Sequence, residues 1–382
     1  MVRAYLDHAS TTPARPEAVA ALAQWLAHPA ADPGRLHQEG QWARGALEEA
    51  RLSEAGLDGV TARQVIFTSG ATEAINAAVW GVTRRHAGAP VLYADVEHSA
   101  VRDASQRAGP CEVVPVDASG RLSLAWLSAR LESTARPAPA LVHCQWANHE
   151  VGTLQPVAEV VARCRAAGVA VHVDAAAACG HVPMDLGELQ ADLVSLSAHK
   201  LGGLPGAGAL VVRRGSRIEP FVVGGAQERA RRGGLEALPS LLAFGAAAGA
   251  LAADGGALVR REAGAASGHI AAAVAAATRV AGVSVVGPEE PAGRLPHLVC
   301  LGVAGVEAEP VLLGLDRAGV AVHSGSACSS ESIEPSPVLE AMGVDSSRSL
   351  RISVGWNTTG ADIEAFGTAF AGVVEGLRAL RG

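Results

Sequence analysis

Aromatic side chains make up only 3% of this 382-residue chain, although 49% of it is hydrophobic. A core of ordinary size must therefore be packed from Ala, Val and Leu. Positive charge is not in excess either, since the net charge is −7. That excludes the basic footprint of a protein that grips nucleic acid directly. No apolar run opens the chain, so a signal peptide is not expected. The longest candidate membrane stretch, Leu241 to Ala253, is Ala- and Gly-rich and too short to span, and reads as a packed helix. A soluble, cytoplasmic protein is the expectation. Paired cysteines are missing too. Among Cys111, Cys144, Cys164, Cys179, Cys300 and Cys328 no two have C-x-x-C spacing, so neither a metal site nor a dithiol motif is expected. All but one lie in apolar or helical contexts and read as reduced and inert. The exception is Cys328, in "SGSACSS", a lone thiol among Ser and Gly.

What is present is alternation. Between residues 60 and 215 the apolar runs "QVIFTS", "PVLYADV", "ALVHCQW", "VAVHVDA", "DLVSLSA" and "GALVVRR" are separated by stretches mostly long enough for a helix. This pattern predicts an α/β fold with a mainly parallel, doubly wound sheet. A Gly-rich stretch, Val223 to Gly234, interrupts it, and a long helix is expected from about Leu235 to Ala281. The runs "VSVVG", "HLVCLGV" and "RISVGW" then predict a smaller α+β domain. The expected division is 1–255, the N-terminal segment with the large domain, and 256–382, the small C-terminal domain with the Cys328 loop. No repeat and no true linker is visible.

In such sheets ligands bind beyond the carboxyl ends of the strands. Polar clusters follow five of the runs here: "FTSGATE", "DVEHSA", "WANHE", "VDAAAA" and "SAHK". They describe one crevice. Each member has a plain reading and a chemical one. Lys200 is a surface charge, or an amine held for a Schiff base. Ser197 and His199 just before it suit a phosphate. Asp174 is a helix cap, or the anionic partner of a protonated pyridine nitrogen. Gly70, Ala71 and Thr72 are an ordinary helix start, or a phosphate cradle. His98 is a surface histidine, or a ring that stacks on a flat cofactor. The set together spells pyridoxal phosphate.

At this point the sequence resembles the group I cysteine desulfurases, of the fold-type I, class V aminotransferase-like group. "YLDHASTTP", "FTSGATEAIN", "VEHSAV", "VHVDA", "SLSAHKLGGLPGAGALVVRR", "GGAQERARRGG", "SGSACSSESIEPSPVLEAMG" and "LRISVGWNTT" appear in family order over nearly the whole chain. The resemblance implies pyridoxal 5′-phosphate on Lys200, with Lys200 also as general acid/base. It implies Asp174 on the pyridine nitrogen, a stacked and catalytic His98, and Ala71, Thr72, Ser197 and His199 on the phosphate. Arg351 would grip the substrate carboxylate, a bidentate pairing. Cys328 would be the nucleophile that takes sulfur from L-cysteine, leaving L-alanine. A homodimer is implied, and a protein sulfur acceptor whose pathway is not readable: iron–sulfur cluster assembly, tRNA thiolation, cofactor synthesis or DNA phosphorothioation.

The chain departs from the family pattern in places. Ala177 stands where Gln is usual, "NHEVG" puts His149 where Asn contacts the cofactor, and Leu235 replaces a phosphate-binding Thr. His149 is expected to take over the contact to the ring hydroxyl. Asn148 then falls to the substrate side, or to a structural place behind it. Rival readings are another fold-type I enzyme, such as a selenocysteine lyase or aminotransferase, and a non-catalytic sulfur-transfer scaffold. The loop thiol favours desulfuration over the first, and the joint presence of Lys200, Asp174, His98, Arg351 and Cys328 argues against the second.

Overall fold

The computed structural model describes residues 3–29, 31–324 and 335–380. Its centre is a seven-stranded sheet. In spatial order the strands are Val65–Thr68, Gly208–Val212, Leu193–Ser197, Ala170–Asp174, Leu141–Gln145, Val91–Ala94 and Cys111–Val114. Only Gly208–Val212 runs antiparallel to its neighbours. The strands read as unbroken apolar runs because both faces are covered. Val142, Cys144, Val194 and Leu196 face one core with Leu47, Leu238 and Phe244. Leu141 and Leu193 face the other, with Ala74, Ala78 and Val79. The edge strand Cys111–Val114 escapes a search for apolar runs because it is only half buried.

Small residues do the packing that aromatics would do elsewhere. The helices Gln38–Leu57 and Leu238–Ala277 approach so closely that a Cβ on Gly245 would fall 2.4 Å from Ala50 Cα. The second of these is the expected long helix, but it is not continuous. Ala253 to Gly256 leave helical geometry, with positive φ at Asp254, Gly255 and Gly256. Two adjacent glycines make that excursion cheap.

Beyond the break lies a four-stranded antiparallel sheet: His323–Ser324, Ser349–Ser353, Leu298–Val303 and Val283–Val286. Its core contains Ile270, Leu301, Ile352, Phe366 and Phe370. Burying each such side chain contributes roughly 1.5–3 kcal/mol. Ala4 and Leu6 belong to this second core. The strand Ala4–Tyr5 pairs in parallel with Val320–Ala321. The N-terminal segment, expected beside the large domain, thus threads into the C-terminal one.

Candidate active site

The parallel strands end on one side of the sheet, and a cavity of about 320 Å³ opens there. Its wall includes Ala71, Thr72, His98, His149, Asp174, Ser197, His199 and Lys200. Eight residues expected at a site from sequence are therefore brought together. Cys328 lies outside the described residues.

Each arrives on an element with a local reason to be there. Val65–Thr68 leads through Gly70 into the helix Ala71–Thr83, whose N-cap makes no side-chain hydrogen bond. The first N–H groups of that helix are thus left for a ligand. A Cβ on Gly208 would lie 2.6 Å from Gly70 Cα, so only glycine lets the antiparallel strand pass this turn. Arg232, from the Gly-rich stretch, bonds Glu73 at 2.9 Å, and Glu73 in turn accepts the Ser69 N–H at 2.9 Å.

Asp174 ends its strand. Its Oδ1 accepts from the Ala176 N–H at 3.0 Å and from Ser195 Oγ at 3.2 Å. Ser197 and Lys200 follow directly from Leu193–Ser197. Lys200 Nζ donates to the Ala9 carbonyl at 2.5 Å. Lys200 is also the only lysine in the whole sequence, a signal that the motif reading passes over. A chain that meets every other cationic need with arginine keeps its one primary side-chain amine in this cavity.

His98 caps the helix Ser99–Ala108, its Nδ1 accepting the Ala100 N–H at 3.1 Å. The ring proton is therefore on Nε2. Burial, then the neighbouring His149, bring His98 down to about 4. Burial and the Lys200 charge bring His149 to about 3 and His199 to about 4. All three imidazoles are neutral at neutral pH. The His98 and His149 rings lie 5.1 Å apart on one wall. Glu97 is buried beneath, its Oε1 accepting the Gln145 N–H at 2.7 Å. Burial and the Asp174 charge push its carboxyl up to about 8. Burial raises Glu150 to about 7, where Ser336 Oγ donates to it at 2.5 Å.

Two of the expected residues, Asn148 and Arg351, do not line the cavity. Asn148 is not a substrate contact. It is fully buried, its amide donates to the Val96 carbonyl at 3.0 Å, and its Oδ1 accepts the Glu150 and Val151 N–H groups at 2.8 Å each. With both ends committed to backbone it holds the turn that presents His149. Arg351 stands behind the cavity wall, 1% exposed. It donates to the His149 carbonyl at 3.0 Å, to Asp7 Oδ1 at 2.8 Å and to Ser10 Oγ at 2.7 Å. Asp7 and Ser10 were not singled out from sequence, although both stand in the quoted "YLDHASTTP". Ala177 lines the cavity, and so does Gln145.

A polar cavity holding the chain's one side-chain amine, at the strand ends of a seven-stranded α/β sheet, is consistent with the aminotransferase-like class. The chain belongs to the class-V aminotransferase family, whose model matches residues 4–366, and within it to the cysteine desulfurases. A cysteine desulfurase of Cereibacter sphaeroides is 36% identical, with 100% of this chain and 98% of that one covered. Cysteine desulfurase IscS of Dictyoglomus turgidum is 34% identical, covering 98% and 95%. Among solved structures, a NifS-like protein from Rickettsia africae superposes with a TM-score of 0.88 at 26% identity, covering 98% of this chain and 99% of that one.

Proposed function

We propose that this protein is a pyridoxal 5′-phosphate-dependent cysteine desulfurase that converts L-cysteine to L-alanine and holds the sulfur on Cys328. One observation carries the reading: Lys200, Asp174, His98 and an uncapped helix start share a single cavity. The donor set fits the cofactor group by group. The Ala71 and Thr72 end, with Ser197 and His199, suits its phosphate. Asp174 suits its ring nitrogen, His98 its ring face and Lys200 its carbonyl carbon. His149, which lines the cavity with Ala177, would meet the ring hydroxyl.

When bound, pyridoxal phosphate supplies an electron sink that polarises the substrate's Cβ–Sγ bond. The chain does the rest. Lys200 Nζ, which donates to the Ala9 carbonyl, would hold the cofactor and move the proton at the substrate α-carbon. His98, neutral and with its proton on Nε2, would present a flat ring face to the cofactor and a hydrogen-bond donor to the substrate side. Arg351 takes the substrate carboxylate by exchanging Asp7 and Ser10 for it. The Cys328 thiolate attacks the substrate sulfur. An S–S bond forms and the Cβ–Sγ bond breaks, with its electron pair passing to carbon. Protonation there completes alanine and leaves a Cys328 persulfide. Atoms balance without any outside oxidant.

The protein is further proposed to act as a homodimer and to pass sulfur to a protein acceptor, iron–sulfur cluster assembly being one such route, in the cytoplasm. Exposed Val223 and Leu235 flank the Gly-rich stretch, and a subunit contact would cover them. The test is Cys328→Ser. The loaded variant should keep its visible chromophore and its spectral response to L-cysteine, while sulfide release falls to background. Wild-type sulfide yield from this variant would remove Cys328 from the mechanism. Failure of the loaded wild type to make alanine and sulfide would remove the whole reading.

A further inference from the structure

A second cavity, of about 390 Å³, lies at the opposite edge of the central sheet. It opens where the strands Leu141–Gln145, Ala170–Asp174 and Leu193–Ser197 begin, whereas the Lys200 cavity lies where they end. Its floor is apolar, with Val82, Ala140, Val161, Val171 and Leu193 all buried. Its rim is basic. Arg85, Arg165, Arg213 and Arg217 line it, against the single carboxylate of Asp192.

The charges do not cancel. Asp192 is saturated: Oδ2 accepts the Val171 N–H at 3.0 Å, and Oδ1 accepts from Ser216 Oγ at 2.9 Å and from Arg213 Nε at 3.2 Å. Arg85 pairs with Glu219 at 3.2 Å. Arg165 donates to the carbonyls of Leu189 and Gln190, at 3.4 and 2.9 Å. Those bonds fix its guanidinium but neutralise none of its charge. Among the described residues Arg217 has no ion-pair partner. Two positive charges are thus left over an apolar floor, in a chain whose net charge is −7.

We propose that this cavity binds a small organic phosphate: a doubly negative phosphoryl group held by Arg165 and Arg217, joined to an apolar or aromatic body seated on the Val82–Leu193 floor. Guanidinium forks match phosphate oxygens in pairs, which a point charge does not. The volume is that of a small-ligand pocket. A flat acidic protein surface would meet the arginine rim and leave the floor empty.

The test is isothermal titration of the pyridoxal phosphate-loaded enzyme, so that phosphate positions around Lys200 are already filled. The probes are adenosine 5′-monophosphate, inorganic phosphate and adenosine. Saturable binding of the nucleotide is expected, with weaker binding of either fragment. Arg217→Glu should weaken nucleotide binding by about tenfold or more, with wild-type melting and unchanged cysteine turnover. Arg165→Met should weaken it in the same direction, and a melt of that variant separates lost binding from lost fold. The proposal is overturned if the nucleotide gives no saturable heat, if Arg217→Glu binds it as well as wild type does, or if bare phosphate binds as tightly. A polyglutamate peptide that binds where the nucleotide does not would overturn it too, in favour of an acidic protein partner.

Discussion

Replacing Glu228 by alanine removes the partner of a cation with almost no access to water. Arg51 and Glu228 are 2% and 5% exposed and share hydrogen bonds of 2.6 and 2.7 Å. Glu228 Oε2 also accepts the Phe67 N–H at 3.0 Å, and the Arg51 guanidinium carbon sits 4.6 Å from the Phe67 ring centre. Phe67 belongs to the strand that leads to Ala71 and Thr72. The substitution therefore strands a buried guanidinium and a backbone N–H together. Breaking one side of a buried pair costs roughly 3–5 kcal/mol. Glu48 at 3.2 Å softens this only in part, being itself half exposed. A second offset is backbone relief at position 228 itself, whose φ of 49° costs about 1–3 kcal/mol, about as much as the stranded Phe67 N–H adds. The net expectation is a loss of about 3 kcal/mol, read from urea unfolding. Arg51→Met/Glu228→Leu should recover part of it, because the apolar side chains need no partner there while the Phe67 N–H stays unpaired. A loss under about 1 kcal/mol, the range of an exposed pair, would refute the reasoning. So would a double variant no more stable than Glu228→Ala.

Lys200→Ala should abolish turnover, and borohydride reduction of the loaded wild type should fix the cofactor to the one peptide containing Lys200; mass mapping that finds it elsewhere sinks the assignment. His149→Ala should weaken cofactor retention by roughly 1–3 kcal/mol, the usual cost of a buried polar group left unpaired, and adding Ala177→Gln should restore part of that. A double-mutant cycle with zero coupling would separate the two residues. Stability should peak on the acid side of neutrality. Depressed histidines such as His98 and His149 favour the fold above their unfolded value of 6.5 and lose that contribution as pH falls toward 4 and 3. Raised carboxyls such as Glu97 and Glu150 favour it below their unfolded value of 4.5 and lose that contribution as pH rises through about 8 and 7. Between pH 6.5 and 8 only the carboxyl loss of these two sets operates, so stability should fall there, and Glu97→Gln should flatten the fall in urea midpoints. A variant with the wild-type slope would clear Glu97 of that role.

The cavity was readable from sequence wherever its chemistry sits one or two residues past an apolar run. Asp174, Ser197 and Lys200 are of this kind, because a parallel strand delivers its last side chains to the same edge as its neighbours do. What escaped is what depends on distant chain. Asn148 looks like a site residue beside His149, yet the Val96 carbonyl takes its amide and buries it. Arg351 carries a recognisable motif, but its immediate partners, Asp7 and Ser10, lie at the other end of the chain. The arginines of the second cavity come from widely separated positions, 85, 165, 213 and 217, and form no motif at all.

The N-terminal segment shows how much such distant pairing decides. Ala4–Tyr5 is only two residues long, too short for any periodicity, and exists as a strand because Val320–Ala321 accepts it. That pairing places Asp7 and Ser10 on Arg351, the Ala9 carbonyl on Lys200 Nζ, and the Thr12 N–H on the His199 carbonyl at 3.1 Å. One short stretch thus touches the amine, a residue expected at the phosphate and the arginine proposed for substrate. It joins the large-sheet cavity to the strand Ser349–Ser353, through the Ala9 N–H to Ser353 Oγ at 2.8 Å. The arginine proposed to meet the substrate carboxylate and the amine proposed to carry the cofactor are thus both bonded to residues 7 to 10 of one stretch.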